Sequence, residues 1–214
     1  MAAISIETLI KDLSEVNIAV GIHQGYALAN NLIQDSEFMG SHFYGELYPY
    51  VRRATVEFAV DKFVQRQLPW VSSNFRFNKS KNYRHLELRY RNLILTLNAV
   101  SGINEFPRDA IYRTGLQISN QITLSELFLK QVMSLDQAII RPVYMTVTYG
   151  RRESIATDQP DFIRLGLPHA DRREYIDVIN LPLENQPESI VFSEQLAILK
   201  DEFLREGKSI QDII

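Results

Sequence analysis

Residues 84–90 and 93–99 alternate apolar and polar side chains on either side of Arg91-Asn92. Alternation with period two predicts strands, and two such runs separated by two residues predict an antiparallel hairpin. With Arg91-Asn92 as the turn, Leu86, Leu88 and Tyr90 oppose Leu97, Leu95 and Leu93 on one face. His85, Glu87 and Arg89 then oppose Asn98, Thr96 and Ile94 on the other, because directly opposed residues share a face. The first set is expected to be buried and the second solvated. Arg-Asn is not the preferred Asn-Gly turn, which leaves a shift of one residue open. An earlier strand around Phe75 and Phe77, with Phe77 inward, joins through the polar turn Asn78 to Asn82.

The period changes elsewhere. Ile6, Leu9, Ile10, Leu13 and Val16 recur at helical spacing and predict a helix over residues 6–20, with a second from Tyr26 to Ile33. A long helix is expected from Tyr48 to Gln67. Its apolar arc (Val51, Ala54, Phe58, Ala59, Val60, Phe63, Val64) is wider than one core face needs. After Phe106-Pro107, a helix is expected over Arg108 to Asn120, and Thr123-Leu-Ser-Glu126 has the form of a capping box opening another. Val143 to Tyr149 alternates again, and strands at Phe162–Leu167 and Tyr175–Leu181 complete a three-stranded meander. A last helix uses Phe192, Leu196, Leu199 and Phe203, and Gly207 closes it.

The pattern therefore predicts an α+β fold: an antiparallel hairpin and a three-stranded meander packed with about six helices, one at each terminus. The 214 residues fit a single domain, with a possible subdivision near 101–107.

Composition adds exclusions. There are no cysteines, so disulfides, thiolate metal sites and cysteine nucleophiles are out, and a reducing, cytoplasmic setting is expected. The N-terminal stretch has no basic n-region, and Glu7, Lys11 and Asp12 interrupt any apolar core of a signal peptide. No stretch approaches the ~20 apolar residues of a membrane span, so no membrane partner is expected.

Net charge is −3, but its distribution is uneven. Arg76, Lys79, Lys81, Arg84, Arg89 and Arg91 surround the single Glu87, whereas acids dominate from Glu184 to Glu206. Aromatic residues interleave the basic run, as in proteins that hold single-stranded nucleic acid by charge and stacking. The same cations also suit an acidic protein surface. Arg151-Arg152 and Arg172-Arg173 sit in loops, where they would form an ionic rim for a partner.

Catalytic patterns are few. The four histidines are dispersed, and no phosphate-cradling glycine loop or GxSxG elbow occurs, so no cofactor or metal is expected. His85-Leu-Glu87 has a zinc-deaminase spacing without the cysteines that chemistry requires. Glu87-Leu-Arg89 has the carboxylate-spacer-base spacing of a metal-dependent nuclease, but an arginine cannot surrender its proton to activate water. No catalytic residue is assigned. The leading expectation is a non-enzymatic interaction or regulatory protein that docks on a protein partner and self-associates as a dimer through the wide helix. The alternatives are nucleic-acid binding through the basic hairpin, or a divergent metal-dependent nuclease using His85, Glu87 and Arg89.

Overall fold

The computed structural model describes residues 5–10, 12–35, 44–78, 83–118, 120, 142–150, 159–182 and 189–211. Their contacts divide into two units. The sheet unit holds Met1–Asn17, Val64–Arg152 and Asp161–Leu181, so residues 101–107 fall inside it. The helical unit holds Ile18–Phe63, Glu153–Pro160 and Pro182–Ile214.

In the sheet unit, α1 (Ile6–Leu9) leads into a 3-10 turn, Leu13–Val16. The expected helix over 6–20 is thus broken, and the break has a local cause. Asp12 accepts a hydrogen bond from the Ser14 backbone N–H at 2.8 Å and starts a new, tighter turn. Six strands follow: β1 (Ser72–Phe77), β2 (Arg84–Tyr90), β3 (Leu93–Val100), β4 (Val143–Gly150), β5 (Phe162–Pro168) and β6 (Tyr175–Asn180). A helical stretch, α4, covers residues 111–118 between β3 and β4.

The strands lie side by side in chain order in one mixed sheet. The expectation of a separate hairpin and meander is corrected here, because β3 and β4 pair in parallel from Leu93↔Val143 to Val100↔Gly150. Parallel neighbours need a long crossover, and the chain from residue 101 to 142 supplies one. Across Arg91-Asn92 the register is Leu88↔Leu95 and Glu87↔Thr96. Arg91 takes φ 48 to close that turn.

One sheet face is apolar: Leu86, Leu88, Leu93, Leu95, Val143, Met145, Val147 and Leu165 are buried on it. The other face is polar, and the expectation that it is solvated is overturned. His85, Glu87, Thr96, Asn98, Thr146 and Thr148 are all buried as well. Alternation records which side a residue takes, and here both sides of the central strands are covered. At the sheet edge the correction runs the other way, since Phe77 is 61% exposed.

The helical unit is built from α2 (Ala19–Gln34), α3 (Tyr44–Gln67, as far as Phe63) and α5 (Ser189–Gln211). Among the described residues the about six helices of the sequence pattern are not reached. The expected second helix is the C-terminal part of α2, and the capping box at Thr123 to Glu126 lies outside the described residues. Leu28, Phe58, Ala59 and Leu199 form a buried cluster, with Phe203 edge-on to Phe58 at 5.2 Å. Every residue of α3 from Thr55 to Asp61 is buried. The middle of the wide apolar arc, Phe58, Ala59 and Val60, is therefore used within the chain, while Ala54 is exposed. Lys62 pairs with Glu206 at 2.6 Å and Lys200 with Asp35, so α5 exchanges one ion pair with α3 and one with the end of α2.

Gly21 and Gly25 set the approach of α2 to α3. A Cβ on Gly21 would lie 3.0 Å from Val60 Cα and from Phe63 Cβ, and one on Gly25 would collide with the Val56 backbone. Spaced four apart, the two glycines lie on one helix face and admit the α3 backbone. Gly25→Ala is expected to destabilise the protein by about 1–3 kcal/mol, as overpacking does, although alanine favours helix by about 1 kcal/mol over glycine. Denaturant melts of G25A check this, and a stabilised variant would show that the helices can separate freely.

Candidate functional site

The polar sheet face follows from the strand registers. Asn98, Thr148 and Arg164 stand opposite one another on β3, β4 and β5, with Thr96, Thr146 and Gly166 in the row behind. Gly166 leaves room that the Tyr175 ring fills, since a Cβ there would be 2.5 Å from Tyr175 Cε1. Small and hydroxylated side chains in the centre keep the floor low and supply donors and acceptors.

Side chains of the segment around α4 cover this floor. Tyr112 stacks on His85 with ring centroids 3.7 Å apart and planes 13° apart, and Tyr83 lies on His85 at 6.4 Å. Arg113 Nη1 donates to Asn98 Oδ1 at 2.6 Å and to the Tyr112 hydroxyl at 2.9 Å. Asn98 Nδ2 in turn donates to Thr146 Oγ1 at 2.5 Å, and the hydroxyls of Thr96 and Tyr144 are 2.8 Å apart. Fully buried Asn120 donates to the Tyr144 carbonyl at 2.8 Å and accepts from its N–H at 2.6 Å, completing the backbone bonding of β4. Arg164 donates to the Ile103 carbonyl.

This environment holds protons on its phenols. Burial pushes Tyr144 up to about 12, against the opposing effects of the Thr96 hydrogen bond and the Arg113 guanidinium. Burial likewise raises Tyr175 to about 12, opposed by Arg164, Thr148 and Arg113. Tyr112 is also raised, with burial again the largest cause.

The sequence-predicted basic cluster is only partly assembled. Glu87 Oε1 sits 2.7 Å from Arg89 Nε and 3.7 Å from Arg76 Nε, so one buried carboxylate serves two arginines. Arg84 lies over the Phe75 ring at 4.4 Å. Arg91 lies over Tyr90 at 4.9 Å and reaches Glu15 Oε2 at 3.6 Å. Lys79 and Lys81 lie outside the described residues, as do Arg151 and Arg152. In the β5–β6 loop, Arg172 pairs with Glu174 at 3.2 Å, and Arg173 reaches Asp109 at 3.7 Å. His85, Glu87 and Arg89 do share a face, but the Glu87 carboxylate is engaged by cations. No cluster of three or more metal-competent His, Asp or Glu residues occurs among the described residues.

Sequence reasoning missed Tyr112, Arg113, Tyr144, Arg164 and Tyr175. The available signal was the run of hydroxyl residues, Tyr144, Thr146 and Thr148, on one side of a strand whose other side is Val143, Met145 and Val147. It also missed Trp70 and Glu15. The Trp70 indole N–H donates to the Glu15 carbonyl at 2.9 Å, while Trp70 itself remains 53% exposed. No protein-family model, no curated protein and no solved structure matches this chain. Among the described residues, no helix is long and apolar enough to cross a membrane.

The raised phenols give the site a pH signature. In the unfolded chain Tyr144 and Tyr175 lose their protons near the ordinary value of 10.0. The folded state retains them, so the unfolded state binds fewer protons as pH rises and stability falls. Their contribution is complete below pH 10.0 and is lost as pH rises through about 12. Tyr144→Phe and Tyr175→Phe should each flatten this alkaline loss in denaturant melts. Tyrosinate absorbance should show these phenols titrating late, and native-state titration near 10.0 would contradict the enclosure described.

Proposed function

We propose that this protein is a non-enzymatic interaction protein that docks on a protein partner, with Trp70 and Arg91 at the centre of the contact. The observation that carries the reading is the mooring of both side chains to one residue, Glu15. The Asp12-capped 3-10 turn presents Glu15, whose carbonyl fixes the Trp70 indole and whose carboxylate meets Arg91. The only tryptophan in the chain is thus half exposed yet held in place. Tryptophan and arginine are the residues most often found at the energetic centres of protein interfaces. Holding them before the partner arrives lowers the ordering cost of binding.

Arg91 supports the same reading through its backbone. A left-handed φ of 48 costs a non-glycine residue about 1 kcal/mol or more. Glycine would close the turn without that cost. The arginine side chain offsets that cost through its ion pair with Glu15 and, on this reading, through the partner.

Charge pairing supports this reading over nucleic-acid binding. Polyanion affinity depends on cations released to phosphate. Here Arg76 and Arg89 share Glu87, Arg91 meets Glu15, and Arg172 and Arg173 face Glu174 and Asp109. Such pairs suit a protein rim, where charge sets association rate and orientation more than affinity. Self-association through α3 is not part of the reading, since Thr55 to Asp61 are already buried.

The test is affinity capture from the native host with wild type, Trp70→Ala and Arg91→Gly in parallel. A specific partner should be recovered by wild type, and W70A should weaken it by about 2 kcal/mol or more, roughly thirtyfold. Arg91→Gly should lose the partner without losing stability, since the turn strain is relieved as the ion pair disappears. Partners captured equally by all three proteins would refute the docking site. Retention on single-stranded oligonucleotides at physiological salt, lost in an Arg76→Ala/Arg84→Ala double variant, would favour the nucleic-acid alternative instead.

A further inference from the structure

The sheet unit holds two arginines unlike those already described. Arg113 and Arg164 are both half-buried, and both point their hydrogen bonds at neutral acceptors. Arg113 uses Asn98 Oδ1 and the Tyr112 hydroxyl, and Arg164 uses the Ile103 carbonyl. Neither has a carboxylate partner among the described residues, whereas Arg76, Arg89, Arg91, Arg172 and Arg173 all do. Removing a cation from water without a counter-charge is costly in proportion to how far it is desolvated.

The strand registers set the two arginines around one floor residue, Thr148. Asn98, which receives Arg113, stands opposite Thr148, and Thr148 stands opposite Arg164. Two strand spacings, roughly 10 Å, therefore separate the backbones that anchor the two cations. Thr148 lies midway on the floor. The Tyr175 phenol lies within the electrostatic reach of both arginines, with Phe106 packed on its ring at 4.9 Å. The ensemble comprises two cations, a central hydroxyl, an amide and an aromatic wall.

We propose that Arg113 and Arg164, with Thr148 and Tyr175 between them, form a binding site for a small oxyanion-bearing molecule. A carboxylate or phosphate group would supply the missing negative charge, accepting from both guanidinium groups and from the Thr148 and Tyr175 hydroxyls. Guanidinium presents several donors in a fixed fork that matches either head group. Partial exposure of both arginines leaves the group an approach from solvent. A purely structural network could hold α4 to the sheet with neutral partners, as Asn120 and Tyr144 do within the same face. Two unmatched charges add nothing to that task. This site is independent of Trp70 and Arg91, so either could stand without the other.

The experiment titrates the full-length protein with inorganic phosphate and, separately, with succinate, against sodium chloride at equal ionic strength. Thermal melts and the side-chain N–H resonances of arginine are followed together. At least one oxyanion should raise the melting temperature above the chloride control and shift the two arginine resonances saturably. The more effective probe identifies the head group as phosphate or carboxylate. Arg113→Gln and Arg164→Gln should each weaken binding about tenfold or more, the value of a charged hydrogen bond. Where a variant does not fold, the wild-type resonances decide alone. No saturable shift with either probe would overturn the site, and so would binding that persists unchanged in both folded glutamine variants.

Discussion

The parallel ladder between β3 and β4 is the constraint on which the sheet unit depends. It runs without interruption from Leu93↔Val143 to Val100↔Gly150. It places Leu93, Leu95 and Leu97 beside Val143, Met145 and Val147 on one side, and Thr96 and Asn98 beside Thr146 and Thr148 on the other. Slipping either strand by one residue would exchange the faces, putting hydroxyls into the apolar core and leucines beneath Arg113. The ladder also requires a crossover, and that crossover carries α4. The same connection that makes the strands parallel thus brings Tyr112 and Arg113 onto the polar face.

Much of the sheet was legible in the sequence, and the reason is local. Leu86 to Tyr90 and Leu93 to Leu97 alternate cleanly around two residues, so a single register satisfies both strands and the pairing follows. The partner of β3 was not legible, because nothing in the alternation of Val143 to Tyr149 records strand direction. Nor was the fate of the polar face. Thr96 and Glu87 read as solvent-facing because polar residues usually are, but polarity fixes only what must be satisfied if a residue is buried. Thr96 meets this through Tyr144, and Glu87 through two arginines.

The helices show the complementary failure. Ile6 to Val16 has helical spacing throughout, yet Asp12 caps a new turn in its middle, and a periodicity count does not weigh a single cap. The breadth of the α3 arc was visible, but its meaning depended on Gly21 and Gly25 in another helix. By removing two side chains they let α3 sink until Val56 and Val60 touch α2 backbone-close. From Thr55 to Asp61 the breadth of the helix is taken up within the helical unit.

The candidate sites turn on a distinction that charge counts cannot make. The run from Arg76 to Arg91 is the most basic stretch of the chain, and the fold spends much of that charge internally on Glu87 and Glu15. Arg113 and Arg164 are far apart in sequence and belong to no cluster, yet the topology sets them at two sides of Thr148 with no acid paired to them among the described residues. What a partner or ligand meets is the residual field after intramolecular pairing, weighted by how far each group is removed from water. By that measure part of the free energy of interaction of Arg76, Arg89 and Arg91 is committed to the fold. The two isolated arginines, held against neutral acceptors in a half-buried setting, retain theirs. Clustering along the chain therefore marks where charge is made, and topology decides where it remains available.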